Sequence, residues 1–146
     1  MAYNIFHLIT INSSAHEVFK NIADMEGLKK WWTNSVHGDS AVGSTLRFCF
    51  EGKACDVMSV IELNPHKRIA WECIDSDFPE GKQWIGTHII FDIEEKGTDK
   101  CILRFHHEGW KGITDFFGVC NYHWGYFLES LKMLCEKGQG KPHVSV

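Results

Sequence analysis

The length and composition of the chain are those of one ordinary globular domain. Its 146 residues, 44% hydrophobic and 23% charged, suffice for a substantial core, and we expect a single domain over residues 1–146. The net charge of −4 comes from interspersed signs, which argues against a nucleic-acid partner. No segment approaches the roughly 20 apolar residues of a membrane span, and the first twenty residues do not resemble an export signal, so we predict no membrane association and a cytoplasmic location.

Six cysteines are present, and the closest pair, Cys49 and Cys55, flanks the turn-like "EGKA". Three disulfides are one option, but the chain is large for a disulfide-stapled scaffold and shows no export signal. We therefore predict free buried thiols. No CxxC or CxH spacing occurs, so we expect neither a metal ion nor a cofactor.

The first 35 residues predict one strand followed by two short helices. The apolar and β-branched segment "YNIFHLITIN" (3–12) is the strand. Ser13 or Ser14 then caps the helix "AHEVFKNIAD" (15–24), which carries a glutamate in its first turn. After Gly27, "LKKWWTNS" (28–35) indicates a second short helix, and Gly38 and Gly43 mark a loop.

The rest of the chain predicts a run of strands and a terminal helix. Five strand-like segments with short connections indicate an antiparallel meander: "TLRFCFEG" (45–52), "ACDVMSVIELN" (54–64), "RIAWECID" (68–75), "WIGTHIIFDIEE" (84–95) and "DKCILRFHHEG" (99–109). From Thr114 to Lys137, apolar residues recur every three or four positions, and Gly138 stops the helix. We predict an α+β fold in which a curved antiparallel sheet wraps around a long C-terminal helix.

The turn after "WIGTHIIFDIEE" predicts which side chains face the helix. A three-residue loop, Glu95-Lys96-Gly97, would pair positions 91/101, 89/103, 87/105 and 85/107. Phe105 and His107 then face inward, whereas His106 and Glu108 face outward. The cluster "RFHHEGW" (104–110) is therefore not a metal site.

His107 ends an apolar inward row, where an imidazole needs a hydrogen-bond partner. Three roles stay open for it: a satisfied structural histidine, a polar contact for a ligand, or a general acid or base. His123, at the edge of the helix's apolar face, is a candidate partner. No inward carboxylate is evident to orient His107, although a bulge in "CDVMSVIELN" could turn Ile61 or Glu62 inward, and an inward Glu62 would favour catalysis.

Aromatic side chains dominate the inward positions, and they either fill a packed core or line a cavity between the sheet and the last helix. Under the cavity interpretation, the candidate ligand-binding residues are Phe48, Phe50, Trp71, Thr87, Ile89, Phe91, Phe105, His107, Phe117, Cys120, Trp124 and Phe127.

Three segments, "NPHKRIAW", "WIGTHIIFDIEEKGTDKCILRFHHEGW" and "HWGYFLESLKMLCEKG", together resemble the START-like (SRPBCC) superfamily with its helix-grip fold. Within it, the chain is most similar to the branch named after the C-terminal domain of the activator of the heat-shock chaperone ATPase. The residues that carry the resemblance are Pro65 to Ile69, Gly97-Thr98, His107 to Trp110, Trp124, Leu128, Leu131 and Lys132.

The resemblance implies a cavity that takes hydrophobic molecules, lipids or polyketide-like ring systems, and it assigns catalysis to no residue. Our leading hypothesis is a protein that binds a hydrophobic, ring-containing small molecule. The alternatives are a cyclase or dehydratase with His107 as base, and a co-chaperone-like interaction domain. We do not expect a chaperone partner, because no second domain or apolar surface patch is apparent, and the sequence leaves open whether the domain forms a homodimer.

Overall fold

The computed structural model describes residues 2–50 and 54–144, which form an α+β helix-grip fold. The elements in chain order are β1 (Tyr3–Ile11), α1 (Ala15–Ala23), α2 (Met25–Trp31), β2 (Ser35–Gly38), β3 (Thr45–Phe50), β4 (Ala54–Asn64), β5 (Arg68–Ser76), a 3-10 helix (Glu80–Trp84), β6 (His88–Glu95), β7 (Cys101–Trp110) and α3 (Asp115–Lys137).

The seven strands form one antiparallel sheet in the order β1-β7-β6-β5-β4-β3-β2. The five-stranded meander predicted from the sequence is confirmed as β3 to β7, and β1 returns to pair with β7. The prediction missed β2, whose residues were assigned to the second helix and to a loop. This strand has only four residues and pairs with β3 alone, so its alternation is too short to detect.

Local chemistry sets the ends of the helices, and the sequence predicts two of these ends, the serine cap of α1 and the stop of α3 at Gly138. The Ser14 side chain accepts a hydrogen bond from the backbone N–H of Glu17 and caps α1. The Thr114 side chain does the same for α3 by accepting from the N–H of Phe117. At the other end, Gly138 takes the left-handed conformation, with φ of 81°, that stops the helix.

The C-terminal half of α3 packs onto the sheet. Leu128, Leu131 and Leu134 are buried in the same cluster as the inward rows of the strands and the apolar faces of α1 and α2. The predicted amphipathic helix is therefore confirmed, and its buried apolar face contributes to the hydrophobic core.

The predicted pairing of β6 with β7 is wrong in register but right in orientation. The connecting loop spans Lys96 to Lys100, and Glu95 pairs with Cys101, so every partner is displaced by four residues from the prediction. The longer loop lets Arg104 form an ion pair with Glu94, with 2.7 Å between Nη1 and Oε1. Because side chains alternate with a period of two, a shift of four leaves each residue on its predicted face, and His107 does point inward.

The bulge anticipated in β4 is present, but it turns neither Ile61 nor Glu62 into the core. The pairing with β5 slips between Val60 and Glu62. Ile61 is 43% exposed. Glu62 forms an ion pair with Arg68 on the outer face, with 3.0 Å between Oε1 and Nε. The bulge therefore brings no carboxylate to His107.

The prediction of six free thiols is wrong for one pair. Cys49 on β3 and Cys55 on β4 lie directly opposite each other and form a disulfide, with their Cα atoms 4.0 Å apart. The other four cysteines are free. The pairing follows from strand register, which brings the two thiols together whatever the size of the chain.

Intact-mass analysis tests this disulfide. Protein purified without reductant, denatured and treated with N-ethylmaleimide should gain four adducts, because only Cys73, Cys101, Cys120 and Cys135 are free. Prior reduction should raise the number to six. A Cys49→Ser/Cys55→Ser variant serves as control and should give four adducts under both conditions. Six adducts without reductant would show that the disulfide does not form.

Candidate functional site

A cavity of about 590 Å³ lies between the sheet and the N-terminal half of α3. Most of its lining is aromatic, and the lining residues are Trp32, Phe50, Asp56, Phe78, Trp84, Phe116, Cys120, Tyr122, His123, Trp124, Tyr126, Phe127 and His143. The cavity opens to solvent on the side of α3, where Tyr122 is 78% exposed.

Helical spacing explains the α3 wall. Phe116, Cys120, His123, Trp124 and Phe127 recur at three- and four-residue steps, so they share one face of the helix. In the C-terminal half the equivalent face is closed against the core by leucines. The opposite walls come from the end of α2, from β3 and β4, and from the segment that joins β5 to β6.

Ring contacts hold the walls in place. The Trp32 and Trp124 rings lie 5.0 Å apart, and Trp84 stacks on Trp124 at 6.1 Å with 13° between the planes. Behind Trp32, Phe48 packs at 4.3 Å and Trp71 stacks at 6.0 Å. The indoles that face the cavity are thus supported on their far sides, which favours a preformed shape.

The residues predicted to bind a ligand fall into two groups. Phe50, Cys120, Trp124 and Phe127 line the cavity. The other eight do not line it: Phe117 packs edge-on against Trp110 with ring centroids 5.0 Å apart, and the remaining seven are fully buried behind the walls, namely Phe48, Trp71, Thr87, Ile89, Phe91, Phe105 and His107. The packed-core and cavity interpretations of the aromatic rows therefore apply to different residues.

His107 has a complete set of hydrogen bonds and is 0% exposed. Its Nδ1 accepts from the indole N–H of Trp124 at 3.1 Å, and its Nε2 lies 2.8 Å from Oγ1 of Thr87. Since the Thr87 hydroxyl donates to the carbonyl of Trp84 at 2.6 Å, Nε2 must carry the proton. The partner is thus Trp124 and not His123, which is exposed. Burial lowers the pKa of His107 to about 3, so the ring is neutral near pH 7.

We expect His107 to make the fold sensitive to acid. Its pKa is about 3 when folded and 6.5 when unfolded, so the unfolded chain binds more protons and stability falls as pH drops through this window. Relative to a His107→Gln variant, the wild type should lose about 3 kcal/mol between pH 7 and pH 4. Urea unfolding at both pH values measures this. The outward-facing neighbour provides the control, His106→Gln, and a constant difference for His107→Gln would contradict the assignment.

Asp56 is the functional candidate that the sequence analysis missed. It lies on β4 directly opposite the buried Phe48, lines the cavity and is 6% exposed. Burial raises the pKa of its carboxyl from 3.8 to about 6, an effect partly offset by a hydrogen bond from Ser76 and reinforced by the nearby charge of Asp77. Asp56 lies two residues before the inward-facing Met58, so the two share one face of the strand. This period of two is the signal that could have revealed Asp56.

The corner after β5 holds the Asp56 carboxyl in place. The Ser76 hydroxyl donates to Oδ1 of Asp56 at 2.6 Å and accepts from the N–H of Phe78 at 3.3 Å. A side chain at Gly81 would collide with this hydroxyl, because an added Cβ would lie 1.9 Å from Oγ. The glycine therefore permits the close approach that orients Ser76.

Replacing Asp56 by Asn should stabilise the protein at neutral pH. The folded-state pKa of about 6 exceeds the unfolded value of 3.8, so the wild type loses stability as pH rises through this window. Asn keeps an acceptor for Ser76 but cannot ionise. Relative to wild type, the variant should gain about 2 kcal/mol between pH 4 and pH 7. Urea unfolding checks this, and a pH-independent difference would refute the raised pKa.

The described residues provide neither a metal-binding cluster nor a membrane-spanning helix. Within residues 2–50 and 54–144, no three histidine, cysteine or carboxylate side chains cluster closely enough to hold a metal ion. None of the helices described is long and apolar enough to cross a membrane.

Comparison with known proteins identifies the family to which the chain belongs. The family model "Activator of Hsp90 ATPase homolog 1-like protein" matches residues 12–136. Among solved structures, the Aha1 dimer of Colwellia psychrerythraea is 37% identical, with 94% of this chain and 99% of that one covered and a TM-score of 0.82. A search of curated proteins finds no significant match.

Two more distant structures share the fold. CalU16 of Micromonospora echinospora is 18% identical over 96% of this chain and 78% of its own, with a TM-score of 0.72. DynU16 is 14% identical over 94% of this chain and 48% of its own, with a TM-score of 0.70. The family match over most of the chain and the 37% identical relative confirm the resemblance found in the strands and the last helix: the protein belongs to the AHSA1 family, the Activator of Hsp90 ATPase homolog 1-like proteins, within the START-like (SRPBCC) fold.

Proposed function

We propose that the protein binds a hydrophobic, ring-containing small molecule in the cavity between the sheet and α3. The observation that carries the proposal is a cavity of about 590 Å³ whose walls are mainly indole and phenyl rings. Small-molecule sites typically span about 300–1,000 Å³ and combine apolar walls with a few polar groups. Flat aromatic walls of this kind match a flat ring system better than a branched chain.

The wider structural family supports a small-molecule ligand. DynU16, which shares only the fold, is described as a putative protein in the dynemicin biosynthetic locus. A biosynthetic setting suits a domain that holds small molecules in an internal cavity. DynU16 shares the fold alone, and the aromatic cavity of the present chain carries the proposal.

The alternatives have less support. A cyclase or dehydratase with His107 as base needs a free imidazole nitrogen near the ligand, whereas both nitrogens of His107 are hydrogen-bonded and the ring does not line the cavity. A co-chaperone role has the family's name in its favour, but no described feature of the chain identifies a chaperone-binding surface. We therefore place ligand binding ahead of both.

Two properties extend the proposal. We infer a homodimer, because the 37% identical relative was solved as a dimer. We retain the cytoplasm as the proposed location on the basis of the sequence, while the Cys49–Cys55 disulfide is a feature more common in oxidising compartments.

Native mass spectrometry tests the proposal. Protein purified from its own cells should carry an apolar molecule that solvent extraction releases, and the same spectrum gives the mass of the assembly. In a defined assay, 9-anthracenemethanol, a neutral three-ring compound, should bind the ligand-free protein. Cys120→Phe should weaken this binding at least about tenfold, because the added ring occupies the cavity.

Val119→Phe is the matched control, because it adds the same ring at the adjacent, exposed position of α3. It should bind the probe as the wild type does. Circular dichroism and thermal unfolding show whether both variants fold. Equal affinity of wild type and a folded Cys120→Phe variant would contradict binding in the cavity, and so would failure of the wild type to bind the probe.

A further inference from the structure

The Asp56 carboxyl is a buried anion with no ion-pair partner among the described residues. It accepts a hydrogen bond from Ser76, and within residues 2–50 and 54–144 no lysine, arginine or histidine forms an ion pair with it. The ammonium of Lys82 binds the backbone carbonyl of Ser76 at 2.6 Å and lies 3.9 Å from Asp75. Asp56 is 6% exposed, and a buried carboxylate is costly unless it is paired, so its position against the cavity leaves a place for a positive charge.

The cavity walls suit a cation as well as an apolar ring. Trp32, Trp84 and Trp124 line the cavity together with Asp56. The face of an indole attracts a cation more strongly than other aromatic side chains do, and the attraction grows when the site excludes water. A carboxylate beside several indoles is the arrangement that proteins use to hold alkylammonium groups.

The other ionisable groups around Asp56 do not supply the missing charge. Cys73 and Cys120 are thiols whose pKa burial raises to about 12, so they are neutral near pH 7. Asp77 is a second negative charge nearby. His123 lines the cavity, and among the described residues it forms no ion pair with Asp56. The buried Asp56 carboxylate therefore repels anions and attracts cations at the cavity wall.

We propose that the ligand of this cavity is a ring-containing molecule that carries a protonated amine, with its rings against the indoles and its ammonium hydrogen-bonded to Asp56. This inference rests on the proposed function and adds the chemical class of the ligand. A charge-assisted hydrogen bond to a desolvated carboxylate is about twice as strong as a neutral one, so a ring compound with a hydroxyl in place of the amine binds less tightly. Carboxylated or sulfonated ring compounds are rejected, because their charge repels that of Asp56.

A matched pair of probes tests the inference. 9-(Aminomethyl)anthracene and 9-anthracenemethanol share one ring system and differ in the ammonium or hydroxyl group. At pH 7.5, above the Asp56 pKa of about 6, titration calorimetry should show the amine binding at least about tenfold more tightly. Asp56→Asn should abolish this preference, because Asn keeps the size and the Ser76 contact but carries no charge.

Asp77→Asn is the control, because it removes the same charge at an exposed neighbour whose carboxylate accepts a hydrogen bond from the N–H of Cys55. It should keep the preference for the amine. Equal binding of the two probes by the wild type, or a preference that survives in Asp56→Asn, overturns the inference. If the alcohol binds and Cys120→Phe blocks its binding, the proposed function stands whether or not the amine is preferred. If neither probe binds, both proposals fail.

Discussion

The hydrogen bond from the Trp124 indole to Nδ1 of His107 is the contact on which the rest of this architecture depends. Hydrophobic burial is non-directional, so the apolar face of α3 alone would tolerate small slides along the sheet. The indole N–H and the imidazole are both buried, and only one placement of the helix satisfies them. Thr87 and the Trp84 carbonyl extend the chain of hydrogen bonds into the segment before β6. Up to Phe127 the helix borders the cavity, and from Leu128 onward it closes onto the core.

Strand faces were predictable from the sequence because alternation is a local property. The orientation of Phe91, Phe105 and His107 follows from a period of two, and an error of four residues in the pairing left it unchanged. The length of the loop between β6 and β7 was not predictable in the same way. The loop length depends on where pairing between the two strands becomes favourable. The polar residues before Cys101 gain little from strand pairing, because the observed register already lets Arg104 form an ion pair with Glu94.

Two features that the sequence analysis missed lie side by side where β3 pairs with β4. Asp56 is inward because it lies opposite Phe48, and Cys49 meets Cys55 because the same register sets them opposite each other. Chain size and cellular compartment, on which the prediction of free thiols was based, carry no information about which cysteines lie opposite each other in a sheet. Likewise, the β4 bulge between Val60 and Glu62 brings no carboxylate inward, whereas Asp56, earlier in the same strand, is buried and lines the cavity.

The two buried ionisable side chains, His107 and Asp56, have different roles in this fold. Burial shifts both pKa values toward the neutral form, downward for His107 and upward for Asp56. The imidazole has a partner on each nitrogen and gains nothing from a ligand, so its role is structural. Among the described residues, the carboxyl has one hydrogen-bond partner, Ser76; it carries charge near pH 7 and lines the cavity. Of these two groups, only the one whose bonding is incomplete in the protein can gain stability from a ligand, and that group is Asp56.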